Sequence, residues 1–243
     1  MTARRPPRRM RLTKDHVARL AREISDPGFQ PFPGVRPATD EDFDELAARL
    51  AAEAPAEAFW VFAYGSLIWN PCFDVAERRV ARAHGWRRIF CLGWDYRFRG
   101  NKDNPGLMLA LDRGGQCKGV AFRLDPATLS DSLGKLVRRE MSMVPTSFPP
   151  RWIKVETPDG PLTALTFAMN RKSGRYIGHL TEEQTADMLA TACGFRGSMA
   201  EYLHATVEHL EEMGIHDRHL WRLQHLTAER IERMHGISAG GDR

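Results

Sequence analysis

The chain has 243 residues, of which 42% are hydrophobic and 27% charged, a composition typical of a globular protein with a sizeable core. No apolar run reaches the roughly 18–20 residues of a membrane-spanning helix, and the N-terminus lacks the apolar core of a secretory signal. The net charge of +4 comes from residues 1–11, which carry five arginines and no acid. We therefore expect a cytoplasmic protein with no membrane partner and no specific nucleic-acid partner.

Residues 1–57 predict an N-terminal extension to the main domain. It comprises the solvated basic arm, a short helix over Val17–Ile24, a Pro-rich linker at 27–37 and an acidic capped helix from about Thr39 to Ala52. The main domain is expected over residues 58–235, and residues 236–243 are expected to form a flexible tail.

An apolar stretch, Phe59–Trp69, opens the main domain. Its aromatic and β-branched residues predict a buried strand that ends in a tight loop at Gly65-Ser66. Successive backbone N–H groups in such a loop can form a concave nest for a carboxylate. The alternative interpretation is an ordinary core strand followed by a turn.

The next part of the domain is rich in strand signals. Alternating segments separated by Gly, Asp and Asn predict strands at 79–84, 87–92, 107–111, 117–124, 152–156 and 162–170. A turn is predicted over 112–115. Basic residues in the loop 95–105 belong either to an exposed loop or to a contact with an anionic substrate. Helical periodicity predicts helices over 126–141, 181–193, 198–213 and 216–234. Strands with inserted and appended helices indicate an α+β domain around a mixed sheet, either open or closed.

Glu140 lies on the apolar stripe of the helix predicted over 126–141. At 100° per residue it points in nearly the same direction as Leu129, Leu133 and Leu136, so a carboxylate faces the core. Burial and the nearby helix C-terminus both disfavour its charged form, which raises its pKa toward the range of a general base or acid. The alternative is a helix-end glutamate that turns to solvent or pairs with Arg138 or Arg139.

Cofactor and metal motifs are absent from the sequence. The nine histidines follow no recognised metal-binding spacing, and neither a P-loop nor a GxGxxG motif occurs. The four cysteines are far apart and form no CxxC pair, so we expect free thiols in a reducing compartment, at Cys72, Cys91, Cys117 and Cys193.

The segment Tyr64-Gly65-Ser66-Leu67-Ile68-Trp69 resembles the opening motif of the ChaC-type γ-glutamylcyclotransferases. Five further segments are similar to this family in the same order, at 105–112, 119–122, 136–141, 176–178 and 201–203. Two of these segments lie on predicted helices. The first, Leu136–Met141, contains Glu140, and the second is Glu201-Tyr202-Leu203.

The resemblance implies a lyase of glutathione catabolism that forms 5-oxoproline and cysteinylglycine without a cofactor. It implies a γ-glutamylcyclotransferase-like fold, a mixed β-barrel or sheet with inserted and C-terminal helices. By the same analogy Glu140 is the catalytic proton acceptor, and the substrate-binding residues are Val61, Phe62, Ala63, Tyr64, Gly65, Ser66, Leu67 and Tyr176.

One departure from the family bears on substrate choice. Phe148 stands where bacterial relatives typically carry a tyrosine, so a hydroxyl available for contact with the substrate is lost. Two alternatives stay open beside the glutathione-specific enzyme: a cyclotransferase for other γ-glutamyl amines or dipeptides, and a non-catalytic γ-glutamyl-binding protein. The sequence gives no indication of the oligomeric state.

Overall fold

The computed structural model describes residues 8–29 and 32–236. Positions 1–7 of the basic arm, positions 237–243 of the expected tail, and positions 30 and 31 of the Pro-rich linker lie outside the described residues. Contacts divide the chain into two compact units. The helical unit draws on Met1–Gln30, Ile89–Met108 and Ile177–Arg243, and the barrel unit draws on Pro31–Arg88 and Leu109–Tyr176.

Helices and strands alternate irregularly along the described chain, as expected for an α+β protein. In order they are α1 (Lys14–Arg19), β1 (Arg36–Pro37), α2 (Asp40–Ala52), β2 (Trp60–Ala63), β3 (Val75–Asp95), β4 (Gly106–Leu124), α3 (Leu129–Glu140), β5 (Met143–Val144), β6 (Pro150–Thr157), β7 (Gly160–Phe167), α4 (Glu182–Leu189), β8 (Cys193–Gly194), β9 (Gly197–Ser198), α5 (Met199–Glu212) and α6 (Arg218–Met234).

Five strands close into a barrel in the order β2, β4, β3, β6 and β7. β2 pairs antiparallel with β4 and parallel with β7, where Val61 faces Leu165. Small and aromatic side chains fill the interior, among them Phe62, Ala83 and Ala121. The predicted α+β fold with a mixed, closed sheet is confirmed.

β3 and β4 are longer than the sequence predicts. Each was expected as two short strands, but β3 has 21 residues and β4 has 19. The glycines that suggested breaks, Gly85, Gly114 and Gly115, have φ values of 76°, 105° and 68° inside continuous strands. A positive-φ glycine can bend a strand as a bulge without ending it, so the prediction of a turn over 112–115 was wrong.

Capping residues define the helix starts. Thr39 caps α2, as predicted, and forms a capping box with Asp42; Thr181 likewise forms a capping box with Gln184 at the start of α4. Asp125 caps a 3-10 turn that leads into α3. The first helix runs from Lys14 to Arg19, so it starts and ends earlier than predicted. It starts at Lys14 because the side chain of Thr13 accepts a hydrogen bond from the backbone of His16.

Residues at the end of the basic arm pack and form ion pairs within the helical unit. The Arg11 guanidinium pairs with Glu229 and Glu232 of α6, and the side chain of Leu12 is fully buried. The prediction of a solvated arm was therefore wrong at Arg11. Two loop arginines, Arg97 and Arg99, also pair with acids of the same unit, namely Asp26 and Glu201.

Candidate active site

Glu140 is the last residue of α3. Leu133, Leu136 and Val137 of this helix are buried, and Glu140 follows them along the same stripe, as the periodicity predicted. Its side chain keeps 19% of its surface accessible. The helix therefore presents a carboxylate that is largely enclosed by protein and still reachable by a small molecule.

The environment of Glu140 favours its protonated form. Burial raises the pKa of Glu140 from an ordinary value of 4.5 to about 7, against the opposing charge of Arg139. A carboxyl group with this pKa exchanges a proton readily at neutral pH, because neither form is strongly preferred. Glu140 is therefore suited to general acid and general base chemistry.

Arg139 joins Glu140 to the loop that follows β2. Its Nε lies 3.4 Å from the Glu140 Oε1, and its Nη2 donates a hydrogen bond of 2.9 Å to the Ser66 Oγ. Its Nη1 donates to the backbone oxygen of Asn70. One guanidinium thus fixes the position of the loop relative to the carboxylate. Two of the predicted site residues, Ser66 and Glu140, are brought together in this way.

The loop itself begins at Gly65, where β2 ends. A 3-10 helix covers Ser66–Ile68, and the amides of Ser66 and Leu67 lie in its first turn, where backbone N–H groups have no acceptor within the helix. These amides are suitable donors for a bound carboxylate or oxyanion. Tyr64 and Ser66 are half-buried, and Gly65 and Leu67 are buried.

The three predicted site residues inside β2 have inaccessible side chains. Val61, Phe62 and Ala63 are at most 1% exposed, and Phe62 packs in the barrel interior. Their side chains position the loop, so any contact of this stretch with a ligand is expected from the backbone.

Arg88 supports the same loop and was not identified from the sequence. It is 3% exposed, and it donates to the backbone oxygens of Tyr64 and Lys118. A buried arginine that holds a carbonyl group of β4 and the carbonyl group of the residue after β2 fixes the chain just before Gly65. An arginine in an alternating strand gave no signal of this role.

Cys72 completes the surroundings of Glu140. Burial raises the pKa of its thiol, the charge of Arg139 opposes this effect, and the charge of Glu140 adds to it. None of the four cysteines is joined in a disulfide, as expected. Cys72 is half-buried, and the other three are buried.

Tyr176 belongs to a different hydrogen-bonded group. Its hydroxyl donates to the Oδ2 of Asp112 at 3.3 Å, and Asp112 also receives hydrogen bonds from Arg87 and Arg171. Burial alone would raise the pKa of Asp112, but the bonds from Arg171 and Arg87 lower it below its usual range. We call Asp112, Arg87, Arg171 and Tyr176 the Asp112 cluster.

Two negative findings apply to residues 8–29 and 32–236. No three His, Cys, Asp or Glu side chains of this part of the chain are grouped so that they could hold a metal ion. The helices described there are too short or too polar to cross a membrane.

Comparison with protein families identifies the family to which the chain belongs. The family model described as ChaC-like protein matches residues 59–230. The chain belongs to the ChaC-like family. The matched region contains β2 and its loop, Arg139, Glu140 and the Asp112 cluster, so all the groups described above lie within the family region of this ChaC-like protein.

Curated relatives and a solved structure agree with this family. A glutathione-specific γ-glutamylcyclotransferase of Escherichia coli is 36% identical over 173 residues, which cover 71% of this chain and 74% of the relative. The glutathione-specific γ-glutamylcyclotransferase 1 of Rattus norvegicus is 31% identical and covers 82% and 86%, respectively. A yeast γ-glutamylcyclotransferase specific to glutathione shares the fold, with a TM-score of 0.63 at 20% identity over 71% of this chain and 96% of the yeast chain.

Proposed function

We propose that this ChaC-like protein is a glutathione-specific γ-glutamylcyclotransferase in which Glu140 moves the protons. The names of its relatives support the reaction and the substrate. The assignment of Glu140 depends on one observation. Its carboxyl group is accessible, has a pKa raised to about 7, and is held by Arg139 beside the Gly65 loop.

In this mechanism the substrate attacks itself. Glu140 accepts a proton from the α-ammonium group of the γ-glutamyl residue, and the freed amine attacks the γ-carbonyl carbon to close a five-membered ring. The bond from that carbon to the cysteinyl nitrogen then breaks, which gives 5-oxoproline and cysteinylglycine. Because the attack is intramolecular, the protein needs only to hold a folded conformer and to transfer protons.

The proton balance is consistent with a single carboxyl group. The attacking nitrogen loses two protons between the ammonium group and the lactam, and the departing nitrogen gains two between the amide and the ammonium group. Glu140 can accept and deliver each of them in turn, so it ends the cycle in its starting form. A pKa near 7 suits both directions of transfer.

The predicted binding residues take complementary roles in the proposal. The backbone of Val61–Leu67 holds the γ-glutamyl group, with the amides of Ser66 and Leu67 directed at its carboxylate or at the oxyanion of the tetrahedral intermediate. Tyr176 contacts the part of the substrate beyond the γ-amide. We also propose a cytoplasmic location, because four thiols that form no disulfide are typical of a reducing compartment.

The test compares the unaltered protein with Glu140→Gln and Glu57→Gln, the latter a matched change at an exposed glutamate of the barrel unit. We expect the unaltered protein and Glu57→Gln to release 5-oxoproline and cysteinylglycine from glutathione in equal amounts. Glu140→Gln should bind glutathione in calorimetry and release neither product.

Other outcomes separate the remaining hypotheses. Product from another γ-glutamyl donor but not from glutathione would keep the mechanism and change the substrate. Binding of glutathione without product by the unaltered protein would favour a binding role. Substantial turnover by Glu140→Gln would refute the assigned role of Glu140.

A further inference from the structure

The Asp112 cluster carries a net positive charge that faces outward. Asp112 is fully buried, and its pKa lies below the usual range, so it stays ionised at neutral pH. Two guanidinium groups share this one carboxylate: Arg171 contacts it at 2.7 and 2.8 Å, and Arg87 at 3.1 Å. Both arginine side chains nevertheless remain almost half exposed, at 45% and 46%.

Asp112 holds these arginines in fixed orientations. A guanidinium that is already ordered by a buried carboxylate loses little side-chain entropy when it binds a second anion. The hydroxyl of Tyr176 and the backbone oxygen of Arg113 add further contacts, at 3.3 Å to Asp112 and 2.7 Å to Arg171. The cluster is therefore a preorganised cationic group.

Few acids neutralise the cluster from its own segments. Residues 86–88, 109–116 and 168–176 contain six basic side chains and one acidic side chain, Asp112 itself. Arg113 lies over the ring of Trp86, and Arg175 lies over the ring of Phe32. An anion that approaches this end of the barrel therefore meets mainly positive charge.

The strand register relates the cluster to the Gly65 loop. β2 and β7 run parallel with Val61 opposite Leu165, and continuing this register one residue past the end of each strand sets Tyr64 level with Ala168. Ala168 in turn forms a bridge with Leu111, the residue before Asp112. Two strand spacings, about 10 Å, therefore separate the start of the loop from the backbone of Asp112.

A second connection runs from Glu140 to the cluster. Seven residues after Glu140, the backbone oxygen of Ser147 accepts a hydrogen bond from the amide of Asn170, and its hydroxyl bonds with that of Ser173. These bonds hold the segment that follows the catalytic helix against the segment that contains Arg171. The proposed proton-transfer group and the cluster thus belong to one hydrogen-bonded framework of the barrel unit.

We propose that Arg87 and Arg171 of the Asp112 cluster bind the terminal carboxylate of the substrate, which in glutathione is the glycine carboxylate. This inference rests on the proposed function. An extended Cys-Gly segment spans about 7 Å, so a substrate with its γ-glutamyl group at the Gly65 loop places this carboxylate within reach of the two arginine side chains. The cluster then favours a γ-glutamyl dipeptide whose C-terminal group is a carboxylate over one whose C-terminal group is neutral.

The test measures 5-oxoproline release from glutathione and from its glycinamide analogue, γ-glutamylcysteinylglycinamide. For the unaltered protein we expect kcat/KM to favour glutathione by about tenfold or more, the usual size of a hydrogen bond to a charged group. In Arg171→Gln this preference should fall severalfold, mainly through a higher KM for glutathione, because only Arg87 then remains to bind the carboxylate. Arg171→Lys, which keeps the charge but not the planar fork, should retain part of the preference.

Two further variants serve as a second test and as a control. Arg87→Gln repeats the test at the second arginine should Arg171→Gln fail to fold, and Arg49→Gln, at an exposed residue of α2, should keep both the activity and the preference. Equal use of both compounds by the unaltered protein, or an equal loss on both in the cluster variants, would refute the carboxylate subsite alone. Absence of product from both compounds with the unaltered protein would refute the proposed function and the subsite with it.

Discussion

Glu140→Gln should stabilise the protein at alkaline pH. The native state raises the pKa of Glu140 from 4.5 to about 7, so between these values the folded chain binds more protons than the unfolded chain. The free energy of unfolding must then fall as the pH rises through this window, and the loss is complete above the folded-state pKa. Glutamine stays neutral in the folded and unfolded states, so the unfolding free energy of Glu140→Gln does not fall through this window.

The size of the effect follows from the two pKa values. Each tenfold difference in proton affinity is worth about 1.4 kcal/mol, so a pKa raised from 4.5 to about 7 corresponds to about 3 kcal/mol. The variant should be more stable than the unaltered protein by about 3 kcal/mol at pH 8 and by less than about 1 kcal/mol at pH 5.

Urea unfolding at several pH values between 5 and 8.5 measures this difference. Glu57→Gln serves as the control, because it makes the same substitution at an exposed glutamate of the same unit. A Glu140→Gln variant whose stability follows that of the unaltered protein in parallel across the range would refute the raised pKa, whatever its activity.

Close backbone contacts at two glycines give the remaining predictions. A Cβ at Gly119 would lie 2.3 Å from the backbone oxygen of Ala63 and 2.9 Å from the ring of Phe62, so Gly119→Ala should lower the unfolding free energy by about 1–3 kcal/mol and weaken glutathione binding. Gly194→Ala meets the backbone of Arg97 at 2.5 Å, and should lower stability by a similar amount. Thermal unfolding beside Gly174→Ala, where no atom lies within 4 Å, checks both, and variants as stable as that control would contradict the packing.

The sequence predicts Glu140 well because a helix has a fixed period. Leu133, Leu136 and Val137 define the buried apolar stripe of α3, and the carboxylate falls on the same stripe one turn after Leu136. Likewise Thr39 and Thr181 mark helix starts through local hydrogen bonds that depend only on neighbouring residues. These features are local, so a single sequence contains the information.

The partners of Glu140 depend on contacts between distant segments. Arg139 was considered only as an ion-pair partner, and its bond to Ser66 joins residues 73 positions apart. Arg88 reaches Tyr64 and Lys118 across neighbouring strands, which requires the register of the closed barrel. Periodicity indicates which face of an element is buried and leaves open which other element covers it.

Glycine gave a misleading signal in the long strands. Gly114 and Gly115 resemble a turn in sequence, yet both lie inside β4, and Asp112 beside them is a buried ion-pair centre. A positive φ suits a turn and a bulge equally, and only the pairing with the neighbouring strand distinguishes them. The Asp112 cluster was missed for this reason.

The pH dependence of kcat/KM for glutathione tests the central claim most directly, since it reports the ionisation of the free enzyme's proton acceptor. Activity should rise with pH to a plateau with a midpoint near 7, because Glu140 must be ionised to accept the proton. Arg139 lowers the pKa of Glu140, so Arg139→Gln should move this midpoint upward. A profile without a rise near pH 7, or a midpoint that stays in place in Arg139→Gln, would contradict the assignment of Glu140 as the proton acceptor.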